Sequence, residues 1–264
     1  MIPSLLPNNS QVELLSRLLH RDLADHRHHN NVQLHHLIPY HATRPSAPVS
    51  LGSEVEPPQV SFFNMPPKSP EPFVPLDARA HKPFTISHFL NRNLRWVTLG
   101  GQYDWTQKKY PLKNPTFPAD LADFTHDFFP SMKAEAAIVN VYTPGDTLSM
   151  HRDVSEESDR GLVSISLGCD AIFVVGLYSA DEGNPRSLVL RLHSGDAVYM
   201  SGSARFAWHG VPQIIPDTCP HWLRCWPARE NANSVQYDVS DPYEPWRNWM
   251  SKKRINLNIR QMRD

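Results

Sequence analysis

The feature that most constrains the fold is a series of short apolar segments in the second half of the chain. They are separated by the turn-forming sequences Pro-Gly, Gly-Cys-Asp, Asn-Pro and Ser-Gly-Asp. The segments are AEAAIVNVYT, DTLSMHRD, LVSISLG, AIFVVGLYS, SLVLRLH, DAVYMSG, ARFAWHGV and KRINLNIRQM. Strands of this length and spacing are typical of all-β sandwiches and jelly rolls. The sequence therefore predicts a mostly β fold with flanking helices, whose core is a double-stranded β-helix (jelly roll) over residues 131–264.

The N-terminal region predicts a helical segment over residues 1–38 that packs on this core. The stretch NNSQVELLSRLLHRDLADH has helical periodicity, and Ser10 followed by Glu13 predicts a capping box at its start. The predicted buried face consists of Val12, Leu15, Leu19 and Leu23. The six histidines between positions 20 and 36 match no zinc spacing and are expected to be solvated.

Proline and tryptophan mark two other regions of a chain that we expect to form one domain. Residues 39–94 are rich in proline, which interrupts both helices and ladders, and are predicted to wrap the core as extended chain. Their buried anchors would be Phe62, Phe63, Met65 and Phe73. Residues 216–250 carry four tryptophans and are predicted to be an insertion that covers one mouth of the barrel.

Composition excludes several classes of protein. The formal net charge is −1, so any nucleic-acid contact must be a local patch and cannot be a global field. Three cysteines are too few for a disulfide framework and favour a reducing compartment, either the nucleus or the cytoplasm, with the mitochondrion left open. No apolar run approaches the roughly 18 residues of a membrane span, and no secretory signal is evident. We expect a monomer with no membrane partner.

The triplet HRD occurs twice, at 20–22 and at 151–153. On a helix, residues two apart diverge by about 200°, so His20 and Asp22 cannot bind one ion. On a strand, side chains two residues apart share a face, and their backbone positions are about 6–7 Å apart. His151 and Asp153, which lie in a predicted strand, can therefore bind one ion. His209, in another predicted strand, supplies a third ligand. Two imidazoles and one carboxylate with open positions are typical of non-haem Fe(II) oxygenases.

The C-terminal segment RINLNIR places Arg254, Asn256, Asn258 and Arg260 on one strand face. Burying two arginines is costly unless anions meet them, and a dicarboxylate such as 2-oxoglutarate supplies two anionic ends. Asn140 and Tyr142 share a face of the strand that leads into the His-x-Asp segment and offer neutral hydrogen bonds. The alternative is a solvated edge strand and ordinary polar residues of a barrel.

Four stretches together resemble one family. NVYTPGDTLSMHRD, SISLGCDAIF, SGDAVYMSGSARFAWHGV and RINLNIR resemble, in order and spacing, the AlkB family of Fe(II)/2-oxoglutarate dioxygenases. RWVTLGGQYDWTQKKYP at 95–111 is similar to the nucleotide-recognition segment of the eukaryotic first AlkB homologue subfamily. The resemblance implies a region of nucleotide recognition with a helix over residues 95–130. It also implies Fe(II) as cofactor and 2-oxoglutarate as co-substrate.

The resemblance also implies roles for individual residues. The iron ligands, and hence the catalytic set, would be His151, Asp153 and His209. Arg254 with Asn140 and Tyr142 would bind the distal carboxylate of 2-oxoglutarate, and Arg260 with Asn256 the end that chelates iron. On the substrate side, Trp105 would stack on the target base and Tyr110 would lie near the phosphate backbone.

Ser155 departs from the bacterial repair members, which carry an acidic base-reading residue at this position. A serine cannot offset the charge of 1-methyladenine, although Glu156 and Glu157 remain alternatives for that role. The resemblance implies oxidative demethylation of N6-methyladenine in DNA, or of 1-methyladenosine in tRNA, with release of formaldehyde, succinate and CO2. The base would be flipped or single-stranded. A dioxygenase of protein side chains or small molecules and a non-catalytic reader of nucleic acid remain the alternatives.

Overall fold

Two antiparallel β-sheets form the centre of the molecule in the computed structural model. The structure describes residues 1–43, 60–69, 73–104, 107, 109–111, 113–177, 186–229 and 241–264. The larger sheet has the strand order β3-β4-β11-β6-β9 and the smaller one β5-β10-β7-β8. These two sheets confirm the predicted mostly β, jelly-roll core.

The strands are β1 (His36–Leu37), β2 (Val74–Pro75), β3 (Trp96–Gly100), β4 (Ala136–Tyr142), β5 (Leu148–His151), β6 (Leu162–Gly168), β7 (Ala171–Leu177), β8 (Arg186–Leu192), β9 (Ala197–Met200), β10 (Trp208–Ile214) and β11 (Arg254–Arg260). The α-helices are α1 (Asn8–Ser16), α2 (Ile86–His88) and α3 (Ala119–Phe128), and π-helical turns extend α1 through Arg17–Asp22 and α2 through Phe89–Asn93. Short 3₁₀ turns lie at Asn31–Leu34, Tyr40–Thr43, Phe62–Asn64, Gly202–Ala204, His221–Leu223, Glu244–Trp246 and Trp249–Lys252.

Each of the eight segments predicted as strands forms one, from β4 to β11. The segment RINLNIR is β11, which pairs along its whole length with β4 on one side and β6 on the other. All seven of its residues are buried. Because it is the middle strand of five, the alternative of a solvated edge strand is wrong. Its apolar residues Ile255, Leu257 and Ile259 belong to the main hydrophobic core.

The N-terminal helix differs from its prediction in two respects. It begins at Asn8 after Pro7, which makes no side-chain cap, so Ser10 lies inside the first turn and the capping box is wrong. Leu15, Leu19 and Leu23 are fully buried, but Val12 is exposed. The histidine-rich segment is not uniformly solvated either, since His20, His28 and His36 are buried.

The proline-rich region contributes apolar side chains, three of them aromatic, to the hydrophobic core. Phe62, Phe63, Met65 and Phe73 are all buried. Residues 86–93 are helical and not extended, and Thr85 caps their first turn by accepting from the His88 N–H. Residues 44–59 and 70–72 lie outside the described part of the chain.

The described parts of the predicted insertion pack on these anchors. Phe63 makes edge-to-face contacts with Trp226, Trp246 and Trp249, at centroid distances of 5.2, 5.6 and 5.2 Å. The turn Trp249–Lys252 leads directly into β11, so this aromatic cluster lies at the Arg254 end of that strand. Among the described residues, none of the helices has the length and apolar character needed to cross a membrane.

Candidate active site

Two histidines and one aspartate meet at the edge of the smaller sheet. His151, Asp153 and His209 each offer a ligand atom, and these atoms all lie within 4.8 Å of one another. His151 ends β5 and is the direct cross-strand partner of His209 in β10. Nε2 of His151 is 3.9 Å from Asp153 Oδ1, and Nε2 of His209 is 3.6 Å from Asp153 Oδ2. These separations are too long for hydrogen bonds but suit atoms that share one ion at about 2.1 Å each.

Backbone carbonyls fix the imidazoles in the form that binds a metal. Nδ1 of His151 lies 2.9 Å from the carbonyl oxygen of Ser149, and Nδ1 of His209 lies 3.1 Å from that of Ala207. Because a carbonyl only accepts, each Nδ1 donates, and each Nε2 is left with a lone pair that faces Asp153. Burial lowers the pKa of His209, which favours its neutral form.

Asp153 is held ionised although it is buried. Burial alone would raise the pKa of its carboxyl group, but nearby positive charge, above all that of Arg260, outweighs burial and holds that pKa below its usual value. Nη2 of Arg260 donates to Oδ1 at 2.9 Å. The other oxygen, Oδ2, is buried without a hydrogen-bond partner among the described residues. A buried carboxylate oxygen of this kind requires a donor or a cation.

A network of buried charged side chains holds Asp153 in place. Glu156, whose side chain is fully buried, accepts from Arg205 Nη2 at 3.0 Å and from Arg260 Nη1 at 3.1 Å. Arg205 also donates from Nη1 to the backbone oxygen of Asp153 at 2.9 Å. The alternative that Glu156 reads the base is therefore wrong, because both of its oxygens are bound to guanidinium groups. Arg205 is not among the predicted site residues, and no pattern in the sequence distinguishes it from an exposed arginine.

Arg254 is the most unusual cation of the site. It is 1% exposed, yet only one of its nitrogens has a hydrogen bond, from Nη2 to Ser166 Oγ at 3.0 Å. Nε and Nη1 have no partner among the described residues, and its guanidinium lies 5.3 Å from the centre of the Tyr142 ring. A guanidinium cannot lose its charge, so its burial without a carboxylate is strongly unfavourable. The site therefore has the chemistry of an anion receptor.

The remaining polar residues of β11 lie between the two arginines. Asn256 is the direct ladder partner of Asn140, as Arg254 is of Tyr142. Asn256 donates to Ser164 Oγ at 2.7 Å and to the Ile165 oxygen at 3.1 Å, and Asn258 Oδ1 is buried without a partner among the described residues. The structure thus places all the predicted co-substrate residues around one polar face.

The predicted substrate residues are placed less uniformly. The Ser155 hydroxyl donates to the Tyr103 hydroxyl at 3.1 Å, and the Tyr103 ring lies 5.3 Å from the ring of Tyr110. The Tyr110 hydroxyl donates to Glu156 and accepts from Arg260, each at 3.2 Å, and burial raises its pKa to about 12. Tyr110 therefore belongs to the buried network, and its hydroxyl is not offered to a phosphate. Trp105 lies outside the described residues.

Comparison with known proteins gives the following similarities. Residues 59–260 match the family model described as the 2OG-Fe(II) oxygenase superfamily. The chain is 47% identical to an N6-methyladenosine RNA demethylase of Pyricularia oryzae, over 100% of this chain and 74% of that protein. It is 51% identical to an N6-methyladenosine RNA demethylase of Cryphonectria parasitica, over 78% of this chain and 92% of the relative. A tRNA demethylase of Schizosaccharomyces pombe is 46% identical, over 69% of this chain and 57% of that protein.

Proposed function

Because the chain belongs to the 2OG-Fe(II) oxygenase superfamily and is an Fe(II)- and 2-oxoglutarate-dependent dioxygenase, we propose which residues bind the iron and the 2-oxoglutarate and which substrate is oxidised. The main support for the proposal is that the site contains two buried groups of opposite charge with atoms that form no hydrogen bond to a described residue. Asp153 Oδ2 and the Nε and Nη1 of Arg254 are buried without a hydrogen-bond partner among the described residues. Fe(II) and a dicarboxylate supply these two partners.

His151, Asp153 and His209 hold the iron. Their two imidazoles and one carboxylate would hold the ion with the donor set that is typical of non-haem Fe(II) oxygenases. Arg260 and the two backbone carbonyls orient these ligands. When bound, the iron with its co-substrate supplies the activation of O2 that oxidises an unactivated carbon.

Arg254 binds the distal carboxylate of 2-oxoglutarate. Its Nε and Nη1, which have no partner in the described part of the chain, present two donors to a carboxylate, and the pairing would compensate its buried charge. Tyr142 is the direct ladder partner of Arg254, the pair Asn140 and Asn256 lies two residues further along the ladder, and Arg260 lies at the metal end of the strand. The family assignment and these contacts support one co-substrate lying along β11.

The substrate is a nucleic acid that carries N6-methyladenine. Oxidation of the methyl carbon yields the free amino group and formaldehyde, while 2-oxoglutarate and O2 yield succinate and CO2. Ser155 supports a neutral base, because its hydroxyl and that of Tyr103 add no negative charge beside the metal site. We expect RNA as well as DNA to carry the methylated base, because two fungal relatives that are 47% and 51% identical are named as RNA demethylases.

His151 marks the open side through which the base enters. Its side chain is 35% exposed, whereas those of Asp153 and His209 are nearly inaccessible. A base inside a duplex cannot reach this position, so it is flipped out or taken from a single strand. We also propose that the protein acts as a monomer in the nucleus or the cytoplasm. Three free cysteines support a reducing compartment.

A substrate panel tests the proposal. Formaldehyde release is measured with 6-methyladenine in single-stranded, duplex and bubbled DNA, with N6-methyladenosine in RNA, and with 1-methyladenosine in tRNA. We expect turnover of N6-methyladenine and little turnover in an intact duplex. If only 1-methyladenosine is turned over, the substrate base is 1-methyladenine and not N6-methyladenine. Succinate release that no methylated nucleic acid stimulates would favour a protein or small-molecule substrate.

A further inference from the structure

A second cationic site lies at the opposite end of β11 from the iron ligands. It is a cleft of about 630 Å³ between the helical residues 86–93, the turn at 143–146 and the segment that leads into β11. Its charged lining consists of Arg92, Arg95, Arg247, Lys252, Lys253 and Asp146. Five cations thus face one carboxylate, in a chain whose formal net charge is −1.

Two of the five cations are already compensated. Arg95 pairs with Asp146, and Arg247 pairs with Glu244 at 2.7 Å. No carboxylate pairs with Arg92, Lys252 or Lys253 among the residues that the structure describes. The cleft therefore carries about three uncompensated positive charges on its wall.

Lys253 shows that the cleft is built for an anion and is not merely a group of solvated lysines. It is 4% exposed, and its Nζ donates to the Asn91 oxygen and to Thr143 Oγ1, each at 2.9 Å. An ammonium group has three N–H donors, so one remains for a further acceptor, and Nζ also lies 5.3 Å from the centre of the Trp249 ring. Burial, reinforced by Arg95 and Arg92, lowers the pKa of Lys253 to about 8, although Asp146 opposes this effect. Keeping such an ammonium charged calls for a negative partner.

The cleft is separate from the iron site. Lys253 precedes Arg254, and β11 runs from Arg254 to Arg260, which contacts Asp153. At about 3.3 Å per residue, the backbone of Lys253 lies on the order of 20 Å from that of Arg260 along the strand. Lys253 and Arg254 are consecutive residues of extended chain, so their side chains point to opposite faces, and an anion at Lys253 is distinct from a co-substrate bound by Arg254.

The spacing of the free charges indicates a chain of phosphates and not a single small anion. Arg92 and Lys252 are exposed on different elements, while Lys253 is buried at the base of the cleft. A neighbouring hollow shares Asn91 and Arg92 and extends the groove along the helix toward His88. Cations spread along an open groove match the repeated charges of a nucleic-acid backbone.

We propose that this basic cleft binds backbone phosphates of the nucleic-acid substrate, remote from the base that is oxidised. This inference rests on the proposed function, because it requires a nucleic-acid substrate long enough to reach both places. Substrates that span about 20 Å gain affinity from the cleft. Short oligonucleotides bind through the iron site alone.

Salt-dependent binding tests the inference. The dissociation constant of an unmethylated RNA stem-loop is measured by fluorescence anisotropy at salt concentrations from about 50 to 200 mM, for the wild type and for the variant Arg92→Gln/Lys252→Gln. Log K decreases as log salt increases, and we expect the magnitude of this slope to be smaller by roughly 0.7 to 0.9 for each phosphate that the variant no longer neutralises. The control is Arg79→Gln, at an arginine that is 93% exposed and does not line the cleft. It should leave the slope unchanged.

Two further arms separate the outcomes. Turnover of a methylated trinucleotide, too short to span both sites at about 3.4 Å per stacked nucleotide, should be equal in the wild type and the variant. If no methylated substrate is turned over but the slope still falls, the proposed function fails and the cleft assignment stands. An unchanged slope would overturn the cleft assignment. So would a variant that loses only the binding of inorganic phosphate, measured by calorimetry, since the cleft would then be a small-anion site.

Discussion

The guanidinium of Arg260 donates to the carboxylate of Asp153 at 2.9 Å, across the space between the two sheets. This hydrogen bond joins the central strand of the larger sheet to the proposed metal site of the smaller one. Arg260 also binds Glu156 and Tyr110. Its own pKa is raised, because these partners outweigh the effect of burial. The carboxylate of Asp153 is thus placed by a charge network whose members come from distant parts of the sequence.

Replacing Arg260 should destabilise the fold even without metal. Arg260→Gln leaves Asp153 and Glu156 buried with one guanidinium fewer, and breaking a buried pair in this way costs about 3–5 kcal/mol. The free energy of unfolding is measured in urea with a chelator present. Arg160→Gln, at an arginine that is 56% exposed, is the control and should change stability by less than about 0.5 kcal/mol. Equal stabilities of the two variants would contradict the network.

Replacing Arg254 should affect stability and co-substrate binding in opposite directions. Arg254→Met removes a buried cation that has no anion, so the protein without co-substrate should be at least as stable as the wild type. Affinity for 2-oxoglutarate should fall about ten- to a hundredfold, since charge-assisted hydrogen bonds contribute about 1.5–3 kcal/mol.

Calorimetry with Mn(II) in place of iron measures the affinity of the Arg254 variant. Arg191→Met, at an arginine that is 51% exposed, is the matched control and should not change it. Unaltered 2-oxoglutarate affinity of Arg254→Met would remove this residue from the co-substrate site.

Stability should fall in mild acid because of His20. Its imidazole is buried against the rings of Tyr243, Trp226 and Phe63, and burial lowers its pKa to about 4. Between about pH 6.5 and 4 the unfolded chain binds the proton and the folded one does not, so stability decreases as the pH falls. This group alone should account for roughly 2 kcal/mol between about pH 7 and pH 5.

Urea unfolding of a histidine variant at the two pH values checks this contribution. His20→Leu should lose about 2 kcal/mol less than the wild type on acidification. His26→Leu, at a side chain that is 78% exposed, should behave like the wild type. A His20→Leu variant with the wild-type pH dependence would show that the buried imidazole does not couple folding to protonation.

An acidic residue at position 155 should change the preferred base. Ser155→Asp places a negative charge two residues from Asp153, where it can attract the cationic 1-methyladenine. We expect the ratio of kcat/KM for 1-methyladenine to that for N6-methyladenine to rise about tenfold, equivalent to about 1.4 kcal/mol. Ser155→Asn has a similar shape without charge and is the control. If both variants give the same ratio, charge at this position does not select the base.

The sequence is most informative where local geometry decides the outcome. Alternation along a strand is sufficient to place His151 with Asp153 and to place the four polar residues of β11 on one face. In the N-terminal helix the same triplet diverges, and His20 and Asp22 indeed serve packing and a salt bridge there.

The features that the sequence does not predict depend on contacts between distant segments. That β11 is central and buried on both faces follows from its pairing with β4 and β6. The role of Arg205 depends on a partner 49 positions earlier in the chain. The family resemblance assigns Tyr110 to the phosphate backbone, whereas its hydroxyl lies among buried charges. Burial of His20 likewise requires aromatic rings from residues 63, 226 and 243.

The most direct test of the account measures succinate and formaldehyde together, with methylated and unmethylated oligonucleotides, for the wild type and His151→Ala. The wild type should release the two products in equal amounts and only with the methylated strand. The variant should lose at least about 100-fold in turnover, the upper end of the loss from removing a supporting partner of a metal ligand. Turnover that His151→Ala leaves unchanged would contradict the assignment of His151, Asp153 and His209 to a catalytic iron.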